Sequence, residues 1–587
     1  MTLPLRLRNL NAFWCALVID ELVRAGVHRA VLCSGGRNAM FNLLAHAHPA
    51  LRCSPAPADE RCAGFLAVGM ARAGGGPVLV SVTSGSAAGN LIPALMEARA
   101  AHLPLIVLTA DRDQWRGATD MPQTVDQIAA CAAFVSRTID LPLPDAEAAS
   151  LSSLCSLLRR QLTGLADAGP IHINLPMPAQ ICPTELDSGW QPATASAALT
   201  TVLPAPDAPT LHAAGPDAAR CNPMCLAAAA RARRGLIVIG ELGQAERRIV
   251  MRFVRSAGWL VMADACSGLR RSDVAELCLA SMDALVLSAW LRFEPPDMVI
   301  RIGQIPVSHT MQRYLADLPA PVVKLALAPC KNMLHPNLVQ SLPLEDSVLD
   351  ALLSALPPPD AGWQNALLAA DQRAMMVTRQ QHSWCGLAVI GALLESAEYG
   401  LVHFANSLTI RLANLLLDSR SHTREAIYGA RGASGIEGTL AQFFGELLVS
   451  RSDGLLILGD QAFLYDIAAL QLASHIPERA LIVVLNNAGG GLFDYLPCSG
   501  IEGYAAAVRG SNGCNVVAIA SGFHITANRC DNPGALGDSI DAYARGTGIH
   551  LIEAVIPPSR HGDQTVLLFA AMVAAADASQ REIRHDT

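Results

Sequence analysis

Short apolar runs recur along the chain, and longer stretches whose apolar positions follow a helical spacing separate them. In the amino-terminal part the runs are Ala30–Cys33, Val78–Val82 and Leu105–Thr109, with helices predicted over Phe65–Arg72 and Leu91–Ala101. The middle part has Gly235–Gly240, Leu260–Ala263 and Met298–Ile302, and the last part has Gly454–Leu458, Ala480–Leu485 and His550–Val555. Continuous rather than alternating apolar strands are buried on both faces, and intervening helices make the sheets parallel. The pattern predicts an α/β fold of three consecutive parallel-sheet α/β/α domains. Two stretches break the periodicity, a Pro-, Ala-, Ser- and Thr-rich one over 187–222 and one opening at Leu356–Trp363. The expected division is a first domain over 1–186, a linker over 187–222, a central domain over 223–355, a linker over 356–384 and a third domain over 385–587.

Composition narrows the function classes. At 587 residues the chain exceeds what one core supports, and 51% apolar with 16% charged residues excludes a disordered chain. The 43 basic and 51 acidic side chains leave −8 with no basic block, so nucleic acid is not an expected partner. Lysine occurs only at 324 and 331, neither within G-K-S/T, which excludes a Walker nucleotide loop. Mean hydropathy is +0.32. The most apolar windows, Leu277–Leu291 (broken by Asp283) and Val566–Ala576, fall short of the ~20 residues that span a bilayer. The first residues lack a signal-peptide pattern. Sixteen scattered cysteines without a C-x-x-C pair read as reduced thiols of a cytoplasmic protein.

In parallel sheets, ligands sit beyond the carboxyl ends of the strands. Gly459-Asp460 follows one such strand. Asn486-Asn487 follows the next, leading into Ala488 and Gly489-Gly490-Gly491. The stretch F-L-Y-D-I-A-A-L-Q-L-A-S-H between them has helical periodicity, so the unit reads β-α-β and brings Asp460 and Asn487 to one edge. A carboxylate, an amide oxygen and a backbone carbonyl near Gly489 are hard ligands suited to Mg²⁺ with phosphate oxygens. A helix opening after Asp460 would turn free N–H groups toward a diphosphate. The alternative is a capping Asp before a glycine-rich turn that binds nothing. Glu60, before the helical C-A-G-F-L-A-V-G-M-A-R, reads by itself first as a first-turn acid favoured by the helix dipole.

The 27-residue spacing of Asp460 and Asn487, with the double Asn, resembles the metal–diphosphate motif of thiamine-diphosphate enzymes, although Gln461 stands where a second Gly is usual. Over nearly its whole length the chain is similar to the family of SEPHCHC synthases (2-succinyl-5-enolpyruvyl-6-hydroxy-3-cyclohexene-1-carboxylate synthases) of the menaquinone pathway. The resemblance rests on A-D-E-R-C-A-G-F at 58–65, T-S-G-S-A-A-G-N at 83–90, P-L-I-V-L-T-A-D-R at 104–112 and P-Q-T-V-D-Q at 122–127. It continues in A-D-A-C-S-G-L-R at 263–270, P-D-M-V-I-R-I-G at 296–303, N-S-L-T-I-R at 406–411, R-G-A-S-G-I-E-G at 431–438 and N-N-A-G-G-G-L-F-D-Y-L-P at 486–497. Acetolactate synthases and simple 2-keto acid decarboxylases lack the pairing of N-S-x-x-x-R with R-G-A-S-G-I-x-G.

The resemblance implies thiamine diphosphate with Mg²⁺ (or Mn²⁺), decarboxylation of 2-oxoglutarate, and transfer of the succinyl semialdehyde unit to the β-carbon of the unsaturated carboxylate of isochorismate. It makes Glu60 the catalytic acid at N1′ of the aminopyrimidine. It gives Asp460, Asn487 and the Gly489 carbonyl to the metal. Gly459, Gln461, the Ile436 carbonyl, Leu492 and Phe493 go to the cofactor, with Leu496 completing the wall. Asn406, Ser407 and Arg411 would hold the succinyl carboxylate, and Arg431 would lie between donor and acceptor. Arg37, Arg112, Gln123 and His309 would face the acceptor. Arginine suits bidentate carboxylate recognition. Active sites are expected between subunits of a homodimer or homotetramer.

The chain departs from the family on the acceptor side. Gly36 replaces a hydroxyl residue, His309 follows Ser308 where lysine is usual, and Asp113 follows Arg112 where proline is usual. His309 exchanges a permanent cation for a partly charged one. These changes keep open a paralogue with another acceptor, and a 2-keto acid decarboxylase is the further enzymatic alternative. A silent cofactor-binding regulator is disfavoured by the retained Glu60, Asp460 and Asn487 and by the lack of a strict G-x-G-x-x-G.

Overall fold

The computed structural model describes residues 7–74, 76–112, 121–167, 169–178, 182–183, 221–326, 335–380, 383–396, 399–418, 426–510, 513–557 and 561–585. The chain divides into two compact units. One comprises Met1–Ala214, Ala430–Arg451 and Leu464–Pro477, and the other Gly215–Gly429, Ser452–Phe463 and Glu478–Thr587.

The first unit holds a six-stranded sheet of β1 (Arg29–Leu32), β2 (Arg52–Pro55), β3 (Val78–Val82), β4 (Leu105–Asp111), β5 (Arg137–Asp140) and β6 (Ile171–Pro176), in the order β2-β1-β3-β4-β6-β5. Every pairing is parallel. Strands β3, β4 and β6 are buried along their whole length; β3 and most of β4 read as apolar runs for that reason, whereas β6 carries the buried polar His172 and Asn174 and does not. Trp14, Ile19, Phe41, Leu79, Ile106 and Leu154 belong to one of its cores. The helices Glu60–Gly74 and Thr439–Ser450 approach backbone to backbone. A Cβ on Gly69 would stand 2.0 Å from the Gln442 carbonyl oxygen, and one on Gly445 2.1 Å from that of Leu66.

The second unit holds two further parallel sheets. Its first comprises β7 (Gly235–Ile239), β8 (Leu260–Ala263), β9 (Cys278–Leu279), β10 (Met298–Ile302), β11 (Val322–Ala326) and β12 (Leu338–Pro343), ordered β12-β11-β10-β7-β8-β9. Its second comprises β13 (Leu401–Phe404), β14 (Ala426–Tyr428), β15 (Gly454–Gly459), β16 (Ala480–Asn486), β17 (Thr526–Cys530) and β18 (Ile549–Val555), ordered β14-β13-β15-β16-β18-β17. The first and last sheets of the chain therefore share one connection pattern. The middle sheet has the strand order of dinucleotide-binding folds, whose ligand crevice lies where that order reverses, here between β7 and β10. There the loops close on each other: a Cβ on Gly240 would stand 2.0 Å from the Gln304 oxygen, and one on Gly303 (φ +73°) 2.7 Å from the Glu241 oxygen.

Three expectations change or fall outside the described residues. The stretch expected as one helix after Asp460 is an α-helix over Asp460–Tyr465 followed by a 3₁₀-helix over Ile467–His475, because Asp466 (φ −123°) leaves the helical conformation and turns its carboxylate inward. Residues 361–379, placed within the second linker, form the helix Ala361–Arg379. It buries Trp363, Leu367, Ala370 and Ala374 at helical spacing and contacts the helix His561–His585. Most of the first linker lies outside the described residues, as do Asp113 and Lys331. No described helix is long and apolar enough to cross a membrane. The described cysteines are free thiols, and burial pushes those of Cys15 and Cys33 up to about 12.

Candidate active site

In the first unit the relevant loops leave the carboxyl ends of β1, β2, β3 and β4. Glu60 opens the helix after β2, half-buried, and its Oε2 accepts a hydrogen bond from Asn90 Nδ2 at 2.9 Å. The Cys33 thiol is raised by burial and then by the charges of Glu60 and Asp59. Arg37 donates from Nη1 to the Met177 carbonyl at 3.2 Å, and Arg112 from Nη2 to the Pro122 carbonyl at 2.7 Å. Gln123 is exposed at φ +59° over the turn at Gly85 (φ +90°), where a Cβ would stand 3.2 Å from the Gln123 Cα.

Beneath these side chains lies a buried polar network that reading the sequence missed. Asp111 Oδ1 accepts the Arg112 N–H at 2.7 Å, and its Oδ2 accepts from Asn174 Nδ2 at 3.1 Å. Gln127 Nε2 donates to Asn174 Oδ1 at 2.7 Å. Burial lowers His172 to about 4, so it is neutral beside Thr109, with Nε2 2.7 Å from Oγ1. Such a network fixes the direction in which the chain leaves β4, and hence the position of Arg112.

The segment from Arg431 to Gly438 also belongs to this unit. Ile436 accepts from Thr439 Oγ1 at 3.0 Å, leaving its carbonyl a second lone pair. Gly438 (φ +71°) is pressed on Phe65, whose Cγ would be 1.9 Å from a Cβ. Nearby, Asp466 Oδ2 accepts the Ala441 N–H at 2.9 Å and its Oδ1 the Cys62 thiol at 3.1 Å. Burial raises Asp466 to about 6 against an ordinary 3.8, so the folded protein binds its proton more tightly than the unfolded chain. Stability contributed by this group is therefore full below about pH 4 and lost as pH rises to about 6, on the order of 3 kcal/mol in all. Asp466→Asn cannot ionise and keeps the acceptor for Ala441. Its melting temperature should gain on the wild type as pH rises from 4 to 7 in paired thermal unfolding curves. Parallel pH profiles would refute the assignment.

In the second unit Asp460 and Asn487 leave the adjacent strands β15 and β16 at one edge. The buried Asp460 carboxylate accepts the Gln461 N–H at 2.9 Å and the Gly489 N–H at 2.7 Å. The glycine run is required by contact. A Cβ on Gly489 (φ +133°) would stand 2.2 Å from the Gly510 oxygen, and one on Gly491 2.1 Å from Asn487 Nδ2. Arg509 ties the loop by donating to the carbonyls of Asn487 and Ala488, both at 2.8 Å, and its Nε lies 3.1 Å from Asp494. A buried carboxylate beside an amide and a tightly turned backbone fits a hard cation that takes further oxygens from a phosphate. Gly459 and Gln461 flank Asp460, half-buried. Leu492 is half-buried, and Phe493 and Leu496 are exposed, so these two are not core residues.

Asn406 and Ser407 follow β13, and Arg411 lies one turn into the helix Leu408–Leu416, its Nη1 donating to the Ser407 carbonyl. Asp283, raised by burial, is lowered in turn by its hydrogen bond from Ser308, then by Arg270 and Arg411. His309, next to Ser308, opens the helix His309–Asp317 and is exposed. Arg270 is wholly buried. It donates to the carbonyls of Ala263 (2.6 Å), Asn414 (2.6 Å) and Leu417 (3.1 Å) and to Asn414 Oδ1 (3.0 Å), so it grips the helix that carries Arg411.

Seven described non-glycine residues have positive φ, and four of them (Gln123, Ser407, Ser434 and Ala488) fall in the motifs above. Strained backbone of this kind gathers where a fold holds functional groups in place.

A family profile described as "Thiamine pyrophosphate enzyme, N-terminal TPP binding domain" matches residues 15–130. A 2-succinyl-5-enolpyruvyl-6-hydroxy-3-cyclohexene-1-carboxylate synthase of Chloroflexus aurantiacus is 30% identical over 564 residues, 92% of this chain and 92% of its own. Synthases of the same name from Geobacillus thermodenitrificans (30% over 509 residues, 84% of this chain and 85% of its own) and Bacillus pumilus (29% over 563 residues, 93% and 94%) are also similar. Identity at this level across both chains means that the chain belongs to the SEPHCHC synthase family of thiamine-diphosphate-dependent enzymes.

Proposed function

We propose that the protein decarboxylates 2-oxoglutarate with thiamine diphosphate and a divalent cation, Mg²⁺ or Mn²⁺, and adds the succinyl semialdehyde unit to isochorismate. The observation that carries this reading is the pairing of Asp460 with the Asn487–Gly491 turn at adjacent strand ends, in a chain of this family. The cofactor, when bound, supplies the electron sink for loss of CO₂. Asp460, Asn487 and the Gly489 carbonyl would hold the cation, with Gly459 and Gln461 beside the diphosphate. Glu60 would hold the proton at N1′ of the aminopyrimidine, its Oε2 fixed by Asn90. The Ile436 carbonyl would accept from the pyrimidine amine, and Leu492, Phe493 and Leu496 would exclude water.

Both substrates are polyanions, which gives the site's cations their roles. Asn406, Ser407 and Arg411 would take the distal carboxylate of 2-oxoglutarate, and Arg431 would stand between donor and acceptor. Arg37, Arg112, Gln123 and His309 would take the carboxylates of isochorismate. The proposed assembly is a homodimer or homotetramer with active sites formed between subunits. Family membership favours isochorismate over another acceptor despite Gly36 and His309. Incubation with both substrates, followed by mass determination of the adduct, tests this: release of free succinic semialdehyde instead would mark a decarboxylase.

A further inference from the structure

One buried, heavily engaged carboxylate of the first unit is absent from the roles above. Glu97 lies on the helix Ile92–Ala100 and is 2% exposed. Its Oε1 accepts from Arg72 Nη2 at 2.7 Å and from the Gly432 N–H at 3.0 Å, and its Oε2 from the N–H groups of Ala433 (2.6 Å) and Ser434 (3.4 Å). Three successive N–H groups turned toward one anion form a nest, completed here by Ser434 at φ +62°. Gly432 is required for the approach, since a Cβ there would stand 2.6 Å from the Glu97 carbonyl oxygen. Ala433 and Ser434 are themselves exposed, so the buried carboxylate is a firm hold on a surface segment.

We propose that Glu97 is a positioning residue: held by Arg72, its carboxylate pins the backbone of residues 432–434 and so sets where Arg431 and Ile436 stand. The proposal rests on the reading that this segment lines the substrate site. A carboxylate suits the task because all its lone pairs accept. An amide in its place must aim one N–H₂ at backbone donors or at Arg72.

The test compares Glu97→Gln, Arg431→Ala and the double variant in the cofactor-loaded full chain, by CO₂ release from 2-oxoglutarate and by amide hydrogen exchange. Glu97→Gln should lower kcat by about 10- to 100-fold, the range of a misplaced catalytic geometry. It should speed exchange at residues 432–436 at least ~10-fold while leaving β4 protected. On an Arg431→Ala background it should cost clearly less than it does alone, because the part of its effect that passes through Arg431 is already lost. Losses that multiply, or unchanged exchange at 432–436, would overturn the proposal. If Glu97→Gln does not fold, Glu97→Asp, whose shorter arm cannot reach all its partners, is read by the same criteria. A wild-type chain that releases no CO₂ would refute the proposed activity, and the exchange arm would still judge the pinning.

Discussion

Glu60→Gln is expected to lower CO₂ release from 2-oxoglutarate by about 10²- to 10⁴-fold, the usual worth of a positioned acid–base group. The amide keeps an oxygen that can accept from Asn90 Nδ2, and position 60 is half-buried at the head of a helix, so the fold should survive. What the amide cannot do is share a proton with a ring nitrogen. Thiamine diphosphate should still bind, its diphosphate end being held by Asp460 and the Asn487–Gly491 turn in the proposed arrangement. Cofactor binding followed by fluorescence quenching, alongside CO₂ release, separates the two effects. Near-normal turnover would remove Glu60 from the chemistry, whereas loss of cofactor binding with turnover would assign it a merely structural part.

Arg270→Met should be the most destabilising single change in the second unit, by about 3–5 kcal/mol, as expected when one partner of a buried ionic group is removed. Methionine fills much of the volume but offers no donors, leaving the carbonyls of Ala263, Asn414 and Leu417 without the guanidinium. Burial lowers the Arg270 pKa, and the surrounding Asp264, Asp283 and Asp371 oppose that shift. Without the cation the Asp283 and Asp371 carboxylates, raised by burial and held down in part by Arg270, keep their protons more tightly in the folded state. The variant's deficit should therefore grow as pH rises and shrink in acid. Thermal unfolding at pH 5 and pH 8 checks both the size and the sign. A variant as stable as the wild type at both values would show that the acids are satisfied by their own hydrogen bonds, such as those from Ser281 to Asp371 and from the Val307 N–H to Asp264.

The nine runs named from the sequence were legible because a strand buried on both faces is apolar along most of its length, a demand met locally; the fully buried β6 was not, since His172 and Asn174 interrupt its run. Val78–Val82, Leu260–Ala263 and Met298–Ile302 match the structure to the residue, and the other runs named from the sequence differ only at their ends. Asp460 and Asn487 were legible for a related reason: residues just past adjacent parallel strands emerge side by side whatever lies between. The break at Asp466 was not, since a helical apolar spacing continues through it. The distant Ala441 N–H and Cys62 thiol give its carboxylate cause to turn inward. The helix Ala361–Arg379 was overlooked because the prolines before it marked a linker more loudly than its buried stripe marked a helix.

The amino-acid order by itself thus determined the three parallel sheets, the positions of the strand ends and the chemistry of the residues placed there. Those properties depend on neighbours a few positions apart, through burial periodicity and turn geometry. Tertiary structure alone decided which groups hold that chemistry still: Glu97 for the segment after Arg431, Arg270 for the helix of Arg411, Asn174 for the turn at Arg112. Each is a polar side chain taken out of water, and its free energy is recovered only by a partner with matching lone pairs or protons. No local pattern names that partner, because the match is made in space, between positions as far apart as 97 and 433.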